Sequence, residues 1–444
     1  MRLRARRPAP PDAPLRLQLL CHSYWPEHSP PQRRWQGLIT AFRGRGWDVD
    51  VVAPVAHFPE GRRRLPRDQA GRLLRPQQGP HGERVHRVPY IPHRGTAHAA
   101  RLIDQLVSAA LSVPVGLLTP RPDALVVTAP SLPILLAGYL LARLRRVPLV
   151  VEMRDAWPDL ARDARLVKGT AKSLIERVVE YVQARADLVV AVTAGFAQTL
   201  RDRGVDPVVT ISNGLDLSRV PALPPVGTAP GPLRALYLGN HGESQRLDVL
   251  VRASALVGEA MELHLVGHGV QRPALIELAR ELNAPVVFHE SVHGPAVLEQ
   301  YTAADTCIVS LRDDWKSFET TVPSKTYEVL AIGRHVTAVV RGEAERIVRD
   351  AGAGNVVASD PEAIAALWRR LAADRALLLT TGGGRRWVAE HADHRHLADR
   401  YARVLRALVD GEPIPAGPTG EPGGSVAGAT ASGDRRTDAD TPAA

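Results

Sequence analysis

Short runs of branched apolar residues alternate along most of the chain with longer segments whose apolar positions recur at helical spacing. Leu-Arg-Leu-Gln-Leu-Leu-Cys-His at 15–22 reads as a buried strand, with a helix at about 35–45 and Asp48-Val-Asp-Val-Val-Ala-Pro as the next strand. Further strands are expected at 123–128, 148–153, 187–192 and 208–212, with helices over 132–146 and 171–186. The Pro-rich stretch 220–232 then reads as a linker. Beyond it the alternation restarts, with strands at 234–239, 261–267, 285–289, 305–310 and 335–340 and helices near 248–257 and 274–282. Apolar strands separated by helices predict parallel sheets covered on both faces. The fold class is therefore α/β, with two doubly wound Rossmann-like domains facing each other across a cleft. Ligands of such sheets bind beyond the carboxyl ends of the strands, which places the site in that cleft.

The expected domains are a basic, disordered N-terminus at 1–14, a first Rossmann-like domain at 15–216, a linker at 217–233 and a second such domain at 234–385. One C-terminal helix at 386–409 crosses back to the first domain. The Gly-, Pro-, Ala- and Ser-rich tail at 410–444 has almost no large apolar residues and is expected to be disordered.

The segment Val322-Pro-Ser-Lys-Thr-Tyr-Glu-Val-Leu-Ala-Ile-Gly333 carries the most chemistry. Pro323 suits a helix start, Ser324 can cap it, and Val329, Leu330 and Ile332 supply a buried side. The unpaired N–H groups of such a start suit a phosphate, and Lys325 adds a full charge. Glu328, one turn on, can accept hydrogen bonds from hydroxyls. Together these point to a nucleotide-linked ligand.

Charge changes the picture in one place. The net charge is +9, yet residues 1–100 hold eighteen arginines, no lysine and seven acids, hence +11, and the rest of the chain carries −2. A basic first domain can attract anionic lipid headgroups, a diphosphate-bearing acceptor or nucleic acid, or it can reflect codon bias on a solvated face. The absence of a recognisable binding module argues against nucleic acid. The apolar run 102–119 reads either as a helix docking on an anionic membrane or as an ordinary buried helix; Asp104, Gln105 and Pro114 argue against a spanning one. Cys21 and Cys307 are far apart in apolar surroundings, which predicts core thiols and a reducing compartment. The basic first residues run into Pro-Ala-Pro-Pro-Asp rather than an apolar core, so no signal peptide is expected and the location is expected to be cytoplasmic, peripheral on the membrane at most.

Several further motifs follow in order: Tyr24-Trp-Pro-Glu27, Arg154-Asp-Ala-Trp-Pro158, Ser212-Asn-Gly-Leu-Asp216, Leu238-Gly-Asn240 and Val266-Gly-His-Gly269. With these the chain, from about 15 to 405, resembles the GT-B glycosyltransferases of the large retaining family 4, closest in pattern to bacterial surface-polysaccharide enzymes of the fucosamine transferase type. The resemblance implies transfer of a hexose-type sugar from a nucleotide diphosphate sugar, with uridine favoured, to a hydroxyl. The implied acceptor is a polyprenyl-diphosphate-linked saccharide at the membrane. It also implies that Glu328 binds the donor ribose, that Ser324 and Lys325 contact the diphosphate, and that Gly267 and Gly269 line the donor cleft. Where relatives often carry a glutamate eight residues before Glu328, this chain has Thr320, with Glu319 one residue further back.

At Gly239-Asn240, many relatives have an arginine after the glycine and a lysine five residues later. Here Asn240 and Gln245 stand instead, and Arg246 is the candidate that restores the cation. Arg33, Arg34 and Trp157 are candidate acceptor contacts. Asp155, after a strand end, is the candidate catalytic base beside Glu328; a structural Arg154–Asp155 pair is the alternative. No cluster with metal-ligand spacing is present, so neither metal nor cofactor is expected. Rival readings are a natural-product glycosyltransferase with a soluble acceptor, a GT-B sugar-nucleotide epimerase and an inactive GT-B scaffold.

Overall fold

The computed structural model describes residues 13–415 except 28, 58–60, 64–72, 74, 94–97, 130, 157–158, 160–169 and 228–230. The expectations for the two chain ends thus fall largely outside the described residues, and Trp157 falls wholly outside them.

The first domain contains β1 (Arg16–Leu20), α1 (Pro30–Gly44), β2 (Asp48–Pro54), β3 (Gln77–Gln78), β4 (Arg84–Val88), α2 (His98–Leu118), β5 (Ala124–Thr128) and α3 (Leu132–Arg145). It continues with β6 (Leu149–Met153), α4 (Thr170–Arg185), β7 (Leu188–Ala191), α5 (Ala194–Asp202) and β8 (Val208–Thr210). Its sheet runs β3-β4-β2-β1-β5-β6-β7-β8 and is parallel except for the β3–β4 pair. The order reverses between β1 and β5, the place where such sheets bind ligands. Strands β5, β6 and β7 are buried throughout, which is why they read as unbroken Val- and Leu-rich runs. Helix α1 starts earlier than the pattern suggested, because Ser29 accepts a hydrogen bond from Gln32 N (3.3 Å) and Pro30 and Pro31 occupy its first turn.

The second domain contains β9 (Leu233–Leu238), α6 (Leu247–Val257), β10 (Met261–Val266), α7 (Arg272–Glu281), β11 (Val286–His289), α8 (Pro295–Ala303) and β12 (Thr306–Ser310). Then follow α9 (Ser324–Ile332), β13 (His335–Val339), α10 (Gly342–Asp350), β14 (Gly354–Val356) and α11 (Pro361–Ala373). The sheet is parallel, in the order β11-β10-β9-β12-β13-β14, and reverses between β9 and β12.

The expected single C-terminal helix is two: α12 (Gly383–His391) and α13 (His394–Asp410). The break falls where the chain crosses between domains. Leu215 N donates to Ala392 O (3.0 Å) and His394 N to Leu215 O (2.9 Å). Gly214 permits this crossing, since a Cβ there would fall 2.2 Å from Ala392 O. Only α13 joins the first domain, burying Leu397, Tyr401 and Leu405 against Trp35 and Phe42. The linker is held against the second domain by Leu223 N to Ile332 O (2.9 Å) and Arg334 Nη1 to Pro224 O (2.6 Å).

One buried carboxylate gives the first domain a pH dependence. Asp50 is 1% exposed, with Arg84 Nη2 and His86 Nε2 each at 2.8 Å. Burial pushes its carboxyl up, but the hydrogen bonds from Arg84 and His86 outweigh that and hold it at about 2, against 3.8 ordinarily. A depressed carboxyl contributes stability above its unfolded value, and this is lost as pH falls through the folded one. Asp50→Asn is therefore expected to melt below the wild type at neutral pH, with the gap closing between about pH 4 and pH 2. Thermal melts of both proteins across that range check it; a gap independent of pH refutes it.

Candidate functional site

A cleft of about 570 Å³ opens between the two domains. One wall comes from the first domain: Arg33 on α1, Arg154, Asp155 and Ala156 after β6, Thr193 and Phe196 at α5, and Asn213. The facing wall contains Gly239, Asn240, Ser244 and Gln245 after β9, the end of β12, and Thr320 to Lys325 leading into α9. The cleft thus sits at the reversal point of the second sheet.

The loop after β9 is fixed by its own backbone. Asn240 O accepts from the Tyr237 hydroxyl (3.0 Å), Gly242 N donates to Gln245 Oε1 (3.1 Å), and Ser310 Oγ donates to Gln245 O (2.7 Å). Beneath it packs the turn after β10. A Cβ on Gly267 would fall 1.9 Å from Gly239 O, and one on Gly269 would fall 2.2 Å from His241 O. Both glycines are there for this close approach of two loops. They support the cleft from behind and are absent from its lining, a correction to their expected place in it.

At α9, Pro323 rather than Ser324 occupies the cap position, and no side chain caps the helix. The first N–H groups, at Ser324 and Lys325, therefore have no partner within the helix and open onto the cleft. Lys325 Nζ lies 2.8 Å from Glu328 Oε2 and 3.4 Å from the Tyr301 hydroxyl. Glu328 is 27% exposed on its side chain and stands one turn behind the lysine, outside the cleft lining itself. Thr320 faces the cleft, whereas Glu319 is exposed outside its lining.

Across the cleft, burial raises the Asp155 carboxyl, with Arg154 opposing the effect. Burial also lowers Arg154 to about 10 despite nearby Glu152, and its Nε is buried without a hydrogen-bond partner. No ion pair joins Arg154 to Asp155 among the described residues, and both residues line the cleft.

Two arginines are corrected. Arg34, a candidate acceptor contact, is 4% exposed. Its Nε and Nη2 both donate to Glu152 Oε2 (3.1 Å), Nη2 donates to Ile211 O (2.8 Å), and Nη1 reaches Ser212 O. Glu152 also accepts from Trp35 Nε1 (2.9 Å) and Thr128 Oγ1 (3.0 Å). With every arm of its guanidinium committed inside the domain, Arg34 holds the wall together. Arg246 has φ 50° at the start of α6 and turns to Asp248 (3.3 Å), outside the cleft lining. The cations that reach the cleft are Arg33, Arg154 and Lys325.

The ties between domains have no local sequence signature. Thr193 Oγ1 donates to Thr320 O (2.7 Å). Glu343, at the start of α10, accepts from Ala194 N (2.9 Å) and Gly195 N (2.7 Å), so a carboxylate of the second domain covers the start of α5. Gly195 leaves room for this, since a Cβ there would lie 2.9 Å from Thr320 Cγ2.

Two facing Rossmann-like domains, with the cleft at the carboxyl ends of the strands and a C-terminal helix returned to the first, define the GT-B architecture. A model of the glycosyl transferase 4-like domain matches residues 31–214, and one of glycosyl transferases group 1 matches residues 232–374. The chain belongs to the GT-B glycosyltransferases. Among solved structures it is similar to sucrose-phosphate synthase from Thermosynechococcus elongatus, at 18% identity and TM-score 0.68, over 90% of this chain and 100% of that one. It is similar also to Anabaena HepE in complex with UDP, at 15% identity and TM-score 0.63, over 88% and 100%. A UDP-N-acetylglucosamine 2-epimerase from Listeria monocytogenes has the same fold at 12% identity and TM-score 0.55, over 91% and 99%. No curated protein sequence matches the chain.

Proposed function

We propose that the protein is a retaining glycosyltransferase that moves a hexose-type sugar from a nucleotide diphosphate sugar, UDP-linked by preference, to a hydroxyl of a lipid-linked saccharide in cell-surface polysaccharide assembly. The observation that carries this reading is the uncapped start of α9, open to the cleft with Lys325 and backed by Glu328, across from Arg154 and Asp155. The diphosphate sits at the α9 start, where helix amides, Lys325, Arg154 and Arg33 meet the charge of the leaving group. Glu328 accepts from the ribose hydroxyls. Asp155, its carboxyl raised by burial, holds the acceptor hydroxyl and takes up its proton, or hands that role to the leaving diphosphate.

The lipid part of the reading rests on α2 and α3. Leu102, Ile103, Leu106 and Leu118 on the first, and Leu140 and Leu144 on the second, are exposed, with Arg101, Arg121, Arg143 and Arg146 around them. Among the described residues α2 is the one helix long and apolar enough to cross a membrane by length and composition. Its buried Asp104, Ser108 and Ser112 face the domain interior, which suits a helix lying on a lipid surface.

Isothermal titration with UDP, GDP and dTDP, followed by turnover of the sugar nucleotide of the preferred base, tests the donor. UDP is expected to bind tightest, and the transferred sugar to keep its anomeric configuration. An inverted product, or donor consumed without an acceptor to give an epimer, refutes the mechanism. Sedimentation with vesicles is expected to favour anionic over zwitterionic lipid and to be lost in Leu106→Asp/Leu118→Asp; full activity on a soluble acceptor without membrane speaks for a natural-product enzyme instead.

A further inference from the structure

The carboxyl ends of β1 and β2 carry a second polar cluster, outside the cleft lining. His22 follows β1, His57 follows β2, and Asp104 projects from α2 between them; the residues are far apart in sequence, which is why ligand spacing did not reveal them. Asp104 Oδ2 lies 3.0 Å from His57 Nε2 and 3.6 Å from His22 Nε2. The three ligand atoms fall within 4.8 Å of one another, and this is the one such group of His, Cys, Asp or Glu among the described residues.

We infer that His22, His57 and Asp104 form a binding site for a divalent transition cation of the zinc type. Two imidazoles and one carboxylate are ligands that zinc accepts, with metal–ligand distances near 2.0–2.2 Å that place neighbouring ligand atoms about 3–3.5 Å apart. The His57–Asp104 pair has that spacing at 3.0 Å, and the His22–Asp104 pair lies just beyond it at 3.6 Å.

The second argument is the outer shell. A histidine that binds metal through one nitrogen is oriented by a hydrogen bond at the other, and ligating carboxylates are fixed in the same way. Here His57 Nδ1 lies 2.8 Å from Val55 O, so that nitrogen carries the proton and Nε2 is turned inward. Tyr90 stacks on the His57 ring at 4.4 Å and 13°, which fixes its plane. Asp104 Oδ1 accepts from Ile91 N (2.7 Å), leaving Oδ2 for the centre. Ser108 Oγ stands 3.4 Å from His22 Nδ1, again leaving Nε2 inward. Each of the three ligands thus has its outer atom occupied and its inner atom directed at the others. His57 Nε2 and Asp104 Oδ2 share a hydrogen bond (3.0 Å) that an ion would displace, and His22 Nε2 stands 3.6 Å from the same oxygen.

Three protein ligands leave one position of a tetrahedral ion open, and His22 is the most exposed of the three at 13% of its side chain. The site joins two strand ends to α2, so an ion there cross-links the helix to the sheet.

The test uses the full chain, untagged and stripped with chelator, titrated with Zn2+ by calorimetry and with Co2+ by visible absorption. One ion per chain, a rise in melting temperature and a four-coordinate Co2+ spectrum are expected. His22→Ala, at the partly exposed ligand, is expected to fold and to weaken Zn2+ binding by about 100-fold or more, beyond what loss of an outer-shell partner costs. Asp104→Asn provides a second variant, its fold checked by circular dichroism. No Zn2+ binding to the wild type, or equal binding by wild type and His22→Ala, overturns the proposal.

Discussion

Replacing Glu328 with alanine is expected to weaken UDP binding and to lower kcat/KM for the sugar nucleotide by about 100-fold. A hydrogen bond to a charged acceptor contributes about 1.5–3 kcal/mol, and each 1.4 kcal/mol is tenfold. The substitution also removes the carboxylate 2.8 Å from Lys325, freeing the lysine from its present position over Tyr301. Glu328→Gln keeps the shape and acceptor oxygen but loses the charge, so its loss is expected to be smaller. Calorimetry with UDP and initial rates with the donor check both variants. Unchanged UDP affinity in Glu328→Ala refutes the ribose assignment, whereas unchanged melting temperature shows that the fold survived.

The second large effect is on stability. Glu152→Ala strands the Arg34 guanidinium in the interior of the first domain and leaves Trp35 Nε1 and Thr128 Oγ1 without their carboxylate. Removing one partner of a buried ion pair costs about 3–5 kcal/mol. For a domain of this size that corresponds to a fall in melting temperature on the order of 10 °C. Arg34→Ala is expected to fall similarly, because it leaves Glu152 buried at 0% exposure. Measured below its melting point, Arg34→Ala is expected to keep most of the wild-type KM for acceptor. A variant of normal stability with a large rise in acceptor KM restores Arg34 to the acceptor site and overturns its role as wall support.

The contrast between Arg33 and Arg34 shows where sequence reading reached its limit. The two are adjacent and equally basic, yet one lines the cleft and the other is sealed inside. What separates them is Glu152, 118 residues away, and no local pattern contains that pairing. Strands such as β5, β6 and β7 were legible because burial on both faces leaves a continuous apolar run. Strand β4, Arg84-Val-His-Arg-Val, was not read, because its polar positions pair with Asp50 and the chain interior rather than with solvent. The helices α5, α8, α10 and α11 were not read either. Among site residues, Lys325, Gly239, Asn240 and Asp155 were placed near one another by loop position after strands, and the structure brings them to one cleft. Arg246 failed because its left-handed backbone turns the side chain toward Asp248.

The carboxylate of Glu343 on the α5 start has one further consequence. Between α5 and the segment leading into α9 and α10, the described residues are clasped by an anion on two backbone amides and by a hydroxyl on a carbonyl. Both sides of that clasp recover water when it parts, so its net contribution to holding the halves together is small. Because its main element is charge against a helix end, which salt screens, ionic strength acts as a dial on how often the mouth of the enzyme gapes.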